Sequence, residues 1–253
     1  MNEHRSIRKY QDRPVEEEKL QRILQSASRA SSSGNMQAYS IIVTSDPEIK
    51  KSLYKPHFEQ SMVLEAPLLL TFCADFHRMR EWLKVSKAAM NFDNYMSFMI
   101  ASIDAILASQ NAALAAEAEG LGICYMGTTL ASCAQIGEIL TCPRHVVPVV
   151  GFSLGYPDES PALRDRLPLQ SLVHREKYNP YSLQDIQACY EDRETAGMKR
   201  YMNDPELRKM VEESGVENLA QVYTQIKYTR KSHLQYSQDV LAYLKMQGFM
   251  ENE

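Results

Sequence analysis

Three polar segments of this chain carry side chains that can bind an anion or a flat ligand. The first, residues 4–8, reads His-Arg-Ser-Ile-Arg. Two arginines three residues apart, with a serine between them, can present several donors to a phosphate or another planar anion. A solvated basic segment fits the same spacing, so the role of this segment depends on what lies near it in the fold.

The other two segments are equally ambiguous when taken alone. Residues 31–37 (SSSGNMQ) place small hydroxyl residues where a backbone can approach a flat ligand closely, although such a cluster is more often simply a loop. Residues 163–168 (LRDRLP) hold two more arginines in a stretch rich in proline, a pattern that also fits a surface loop. These segments indicate a binding site only when they are considered together.

Several familiar kinds of site are excluded. The glycine pairs at 120/122 and 151/155 lack the spacing of a dinucleotide-binding turn, and neither a Walker loop nor an HExxH motif occurs. The five cysteines form no CxxC pair, which argues against structural zinc or a disulfide framework. With 28 basic and 32 acidic residues the formal net charge is −4, which argues against bulk binding to nucleic acid.

The elements that position these segments alternate irregularly along the chain. Hydrophobic periodicity and turn residues predict helices at about 14–30, 47–54, 94–119 and 133–140, and strands at 39–44, 68–74, 123–126 and 146–154. Pro148 implies an early or irregular position in the last strand. The pattern predicts an α+β domain over residues 1–180 and a more polar, helical C-terminal extension over 181–253, which packs on the core or on a partner subunit.

The long helix at 94–119 is apolar nearly all round, as is typical of a buried helix. Its most apolar stretch, residues 98–116, is interrupted by Asp104, Gln110 and Asn111, which disfavours a membrane span. The N-terminal residues contain no hydrophobic export segment. We therefore expect a cytosolic protein with no membrane partner.

Five motifs occur here in the order in which the nitroreductase family carries them. They are residues 4–10 (HRSIRKY), the serine-rich segment that ends at 36–37, residues 72–75 (FCAD), 116–122 (AEAEGLG) and 166–168 (RLP). The chain resembles the NADPH-preferring branch of oxygen-insensitive nitroreductases and flavin reductases. The resemblance implies an α+β fold with a mixed, mostly antiparallel sheet flanked by helices. It also implies a homodimer that buries the long helix in its interface and binds one FMN at each of two sites between subunits.

The resemblance assigns site residues position by position. Those implied at FMN are His4, Arg5, Ser6, Arg8, Ser32, Gln60, Tyr125, Met126, Gly127, Thr128, Arg164 and Arg166, and those implied at NAD(P)H are Arg193, Lys199 and Arg200. Arg5 and Arg166 would neutralise the phosphate, and Arg8 would lie near the N1–C2=O edge of the flavin. Gly127 would let a backbone amide donate toward N5. No metal site is expected.

The activity implied is hydride transfer from NADPH or NADH to FMN, followed by reduction of a nitroaromatic, quinone or flavin acceptor at the same face. Such a ping-pong mechanism needs no protein acid, base or nucleophile, because the cofactor supplies the chemistry. A flavin carrier or sensor with weak reductase activity is the alternative. A simple interaction protein with solvated arginines is disfavoured by the ordered motifs.

Three departures from the family pattern bear on the nicotinamide donor. The turn at 127–129 reads Gly-Thr-Thr where two glycines and a nearby arginine are usual, and residues 164–166 read Arg-Asp-Arg where Lys-Pro-Arg is usual. The tryptophan expected soon after the basic loop is replaced by Tyr201. The sequence therefore leaves the choice between NADPH and NADH open, as it does the physiological acceptor.

Overall fold

The computed structural model describes residues 2–252; residues 1 and 253, the outer ends of the two predicted domains, lie outside it. The chain divides into two compact units, with boundaries between Ala162 and Leu163 and between Gln235 and Tyr236. The first unit therefore contains both the N-terminal part of the chain and its C-terminal segment. The predicted division at residue 180 stays a prediction.

A four-stranded antiparallel sheet is the centre of the first unit. Its strands are β1 (Tyr39–Thr44), β2 (Leu68–Asp75), β3 (Gly122–Tyr125) and β4 (Val146–Gly155), in the spatial order β1-β2-β4-β3. Among the described residues the one parallel pairing is the single bridge between Ser6 and Ile123. The predicted mostly antiparallel sheet is confirmed, and β3 is an edge strand.

The sequence pattern of each strand follows from its position. All eight residues of β2 are buried, which explains why its sequence is apolar without alternation. The register between β2 and β4 shifts between Phe72, which faces Val150, and Cys73, which faces Pro148. The irregular position predicted from this proline is thus a local irregularity of the ladder, where a missing backbone N–H does least harm.

Helices cover the sheet. Those of the first unit are α1 (Glu17–Ser28), α2 (Pro47–Tyr54), α3 (Met62–Glu65), α4 (His77–Val85), α5 (Tyr95–Ala118), α6 (Thr128–Ala131) and α7 (Cys133–Ile139), with a 3-10 turn at Ser33–Asn35. The four predicted helices are present with ends shifted by at most three residues. Helix α4 was not predicted from the sequence; it is short and charged, and none of its residues is buried.

The long helix α5 packs on β2, β4 and α1 through its small side chains. The buried residues of α5 are Ser97, Phe98, Ala101, Ser102, Asp104, Ala105, Ala108, Ser109, Ala112, Ala113 and Ala116. By length and composition alone α5 could cross a membrane, but half of its most apolar window is buried inside the chain and Asp104 is fully buried there. It is the core helix of this unit, and most of its larger apolar residues apart from Phe98 face outward.

The second unit, Leu163–Gln235, is helical. It contains a 3-10 turn at Leu169–Ser171, α8 (Leu183–Asn203), α9 (Pro205–Ser214), α10 (Leu219–Gln221), a π-helical turn at Val222–Lys227 and the start of α11 (Arg230–Met246). Its apolar cluster is small, with five buried residues: Tyr201, Val211, Val216, Leu219 and Val222. Caps at Ser182 and Asp204, which accept backbone N–H groups, set where α8 and α9 begin.

The end of α11 and the residues after it return to the core of the first unit. Tyr243, Leu244 and Phe249 are buried in the main apolar cluster beside α5 and the sheet. Gly137 of α7 allows this approach, since a Cβ there would lie 2.0 Å from the Tyr243 hydroxyl oxygen. The C-terminal segment is therefore part of the core.

We expect Gly137→Ala to lower the free energy of unfolding by about 1–3 kcal/mol, because the added methyl group forces Tyr243 out of its packed position. Urea unfolding measures the change. Tyr243→Phe removes the clashing oxygen, so the double variant should lose less stability than the sum of the two single variants. Additive losses would contradict the close approach of the two residues.

Candidate functional site

The N-terminal segment lies along the free edge of β3. The Ile7 amide donates to the Ile123 carbonyl at 2.9 Å, next to the Ser6–Ile123 bridge. Gly122 is needed at this point, because a Cβ there would lie 2.6 Å from Cγ1 of Ile7. Residues 4–8, whose spacing also fitted a solvated basic segment, are thus fixed to the sheet.

Two guanidinium groups of this segment remain available. Nε of Arg5 is buried without a hydrogen-bond partner among the described residues, and Nη1 makes only a 3.4 Å contact with the Glu3 carbonyl. Neither Arg5 nor Arg8 has a carboxylate within 4.0 Å in the part of the chain that the structure describes. A buried donor without an acceptor costs free energy, which an external anion would recover.

Two of the three carboxylates near Arg5 are already engaged. Arg5 lines a cavity of about 540 Å³ together with Glu3, Glu117 and Glu159. Glu117 contacts Nδ1 of His4, and Glu159 accepts the backbone N–H of Arg8. His4 is therefore committed to a partner inside the chain, whereas the arginine side chains are not.

The serine-rich segment is held by a buried carboxylate. Asp104 of α5 accepts the Ser33 amide at 2.8 Å through Oδ1 and the Ala38 amide at 3.2 Å through Oδ2. Between these anchors the backbone takes left-handed conformations, with φ of 56° at Asn35. The Ser32 hydroxyl accepts a 3.3 Å hydrogen bond from Gln37. In the sequence, Asp104 was noted only as a break in an apolar run. An acid alone inside a buried helix could have indicated that its carboxylate binds backbone N–H groups.

The turn after β3 gathers a second polar group. Nδ1 of His57 lies 2.8 Å from the Thr128 hydroxyl oxygen, and the Gln60 amide donates to the His57 carbonyl at 2.8 Å and reaches Thr128 at 3.5 Å. His57 is 1% exposed, and its burial lowers its pKa to about 4, so the imidazole is neutral at physiological pH. His57, which the sequence analysis overlooked, thus positions Gln60 and Thr128.

Three further predicted residues belong to the same turn. The Met126 amide donates to the Gly151 carbonyl at 2.8 Å, and the Tyr125 hydroxyl lies 3.1 Å from that of Ser109 on α5. Gly127 is exposed, and a Cβ there would meet nothing within 4 Å. Its position therefore does not require glycine on steric grounds, in contrast to Gly122.

The remaining five predicted residues lie in the second unit. Nε of Arg193 donates to Oδ2 of Asp165 at 2.9 Å, and Nη1 of Arg200 lies 3.4 Å from Oδ1. Arg166 donates to the Asp165 carbonyl at 3.0 Å. Arg164, Arg166 and Lys199 are exposed. The two guanidinium groups hold the pKa of Asp165 below its usual value, the direct hydrogen bond from Arg193 contributing most.

The structure thus joins the predicted residues into separate groups. The Ile7 amide joins residues 4–8 to the free edge of β3, the His57–Thr128 contact joins residues 57–60 to the turn that follows β3, and Asp104 of α5 holds the serine-rich segment. Arg193 and Arg200 converge on one carboxylate. Among residues 2–252, no group of three or more histidine, cysteine, aspartate and glutamate residues could hold a metal ion.

Comparison with known proteins decides the family. The sequence matches the nitroreductase family over residues 1–156. The chain belongs to the nitroreductase family. As a member of it, the protein is an oxidoreductase enzyme, and its sheet and helices form the α+β nitroreductase fold.

Two relatives are named for the reduction of flavin with NADPH. The protein is 38% identical over 178 residues to "FMN reductase (NADPH)" of Bacillus subtilis, covering 70% of this chain and 72% of the relative. It is 36% identical over 189 residues to "NADPH-flavin oxidoreductase" of Vibrio harveyi, covering 73% and 75%. A crystal structure from Bacteroides fragilis superposes with a TM-score of 0.90 at 40% identity and covers 98% of each chain.

Asp104→Asn should lower the free energy of unfolding by about 2–3 kcal/mol, because the amide nitrogen that replaces one carboxylate oxygen cannot accept the Ser33 or Ala38 N–H group. Urea unfolding checks this. Ser102→Ala, on the same helix, removes a buried hydroxyl bonded only to the Phe98 carbonyl and should cost much less. Equal losses in the two variants would show that Asp104 does not anchor the loop.

Proposed function

We propose that this protein is an FMN-dependent oxidoreductase that transfers hydride from NADH or NADPH to a flat, electron-poor acceptor such as a nitroaromatic, a quinone or a flavin. The observation that carries the proposal is the pair of arginines, Arg5 and Arg8, which are held at the edge of β3 and have no carboxylate partner among residues 2–252. The relatives named as flavin reductases support the same conclusion.

The described residues fit FMN. The unpartnered buried Nε of Arg5 is suited to a phosphate oxygen, and a positive charge from Arg8 would stabilise reduced flavin. The other residues proposed to hold FMN are His4, Ser6, Ser32, Gln60, Tyr125, Met126, Gly127, Thr128, Arg164 and Arg166. Their hydroxyl, amide and backbone groups are of the kinds that orient a flavin ring.

When bound, FMN would supply the redox chemistry, namely the ability to accept a hydride and to donate electrons. The protein would contribute orientation and electrostatics. The neutral His57 fixes the Thr128 hydroxyl and the Gln60 side chain from below the surface, so neither group has to reorganise when a ligand arrives. We further propose that Arg193, Lys199 and Arg200 hold the nicotinamide nucleotide.

We also propose that the protein is a homodimer. The outward face of α5 exposes Met96, Ile103 and Ile106 by 65%, 49% and 51%, an apolar stripe that a monomer rarely leaves in water. Packing of this face on a second copy would bury α5 on both sides, as its all-round apolar composition predicts. The five free cysteines fit the proposed cytosolic location.

Anaerobic mixing of the FMN-loaded protein with NADH and, separately, with NADPH tests the function. We expect at least one nucleotide to bleach the oxidised flavin band within a single turnover, and a quinone to restore it. Flavin that binds but stays oxidised with both nucleotides would instead establish the carrier or sensor function. A protein that takes up no FMN would exclude both.

Arg5→Ala and Arg8→Ala should each weaken FMN binding by about tenfold or more, since each removes a charged donor from the proposed site. Quenching of flavin fluorescence during titration measures the dissociation constant. Arg13→Ala is the matched control, because Arg13 already pairs with Glu16 at 2.6 Å and should leave FMN affinity unchanged. Equal effects of all three substitutions would mean that only net charge matters.

A further inference from the structure

A carboxylate occupies the centre of the basic cluster in the second unit. Arg193 and Arg200 are seven residues apart on α8, which is close to two full turns, so both side chains leave the same face of the helix. They reach the two different oxygens of Asp165, at 2.9 and 3.4 Å. The cluster thus has the geometry of an anion site whose anion belongs to the chain itself.

Asp165 is the acid that both guanidinium groups contact. Arg164 and Arg166 adjoin it in sequence, and Arg166 donates to its carbonyl oxygen. Lys199, next to Arg200 on α8, is exposed. Asp165 is only 24% exposed in its side chain, and its charge is therefore screened less by water than that of a surface acid. At neutral pH it is ionised and pairs with both guanidinium groups.

We propose that Asp165 is a specificity-determining residue that disfavours NADPH relative to NADH by occupying the guanidinium groups that would otherwise bind a 2′-phosphate. This inference rests on the proposed role of Arg193 and Arg200 at the nicotinamide nucleotide. A 2′-phosphate dianion must displace the Asp165 carboxylate or bind beside it, and either outcome costs free energy through lost pairing or like-charge repulsion. NADH lacks that phosphate and does not meet this cost.

Asp165 would act by competing with the 2′-phosphate for the two guanidinium groups, and not by contact with the reacting atoms. Substitution by asparagine keeps the size of the side chain and one hydrogen-bond acceptor, so the loop shape is retained while the competing charge is removed. A purely structural role for Asp165 would alter the binding of both nucleotides alike. A charge-based role alters only the ligand that carries the extra phosphate.

The test compares adenosine 2′,5′-bisphosphate with adenosine 5′-monophosphate as ligands of the FMN-loaded protein, by isothermal titration. Asp165→Asn should raise the affinity ratio of the bisphosphate to the monophosphate by about tenfold. Asp192→Asn is the matched control: it removes the same charge from an exposed position next to Arg193 and should change the ratio by less than about twofold.

An unchanged ratio in Asp165→Asn, or the same change in both variants, overturns the proposal. A parallel gain in kcat/KM for NADPH over NADH supports it. The binding measurement does not depend on turnover, so it remains informative even if neither nucleotide reduces the flavin. That last result would count against the proposed reductase function, whereas an unchanged binding ratio counts against Asp165.

Discussion

Because α5 lays alanine and serine side chains against β2 and β4, its backbone comes close to the sheet and its larger side chains are left on the opposite face. That close packing fixes the groups at the candidate site. Asp104 on the inner face holds the serine-rich segment, and Ser109 contacts Tyr125. Replacement of the small inner residues by large ones would displace both contacts at once, since a packed interior transmits a change of volume.

Much of the fold could be predicted because its signals are local. Strands β1 to β4 and helices α1, α2, α5 and α7 follow from apolar runs bounded by Gly, Pro or Asn. Helix α4 lacks a buried stripe and was missed. The sequence left open whether the C-terminal extension packs on the core or on a partner subunit, and it did not indicate that Tyr243 and Phe249 are buried by contacts distant in sequence.

The candidate site was predictable by residue type but not by partner. The arginines of residues 4–8 were identified from spacing and resemblance, yet only the structure reveals that Nε of Arg5 is buried without a hydrogen-bond partner among the described residues. The anchoring role of Asp104, and His57 altogether, were missed because each acts on backbone or side chains far away in sequence. Asp165 of the Arg-Asp-Arg segment could be seen in the sequence as a departure from the family pattern. Only the structure shows that it pairs with two arginines of α8.

The N-terminal segment also covers part of an edge of the sheet. An edge strand with open N–H and C=O groups is a template for association with other chains, and the contact of Ser6 and Ile7 with β3 covers part of that edge. The segment that carries Arg5 and Arg8 therefore also makes the edge of β3 less open to association with other chains. Substitution can change the arginines one at a time, whereas deletion of the segment would remove both arginines and expose the edge of β3 at once. The length of the segment is therefore constrained independently of its side chains.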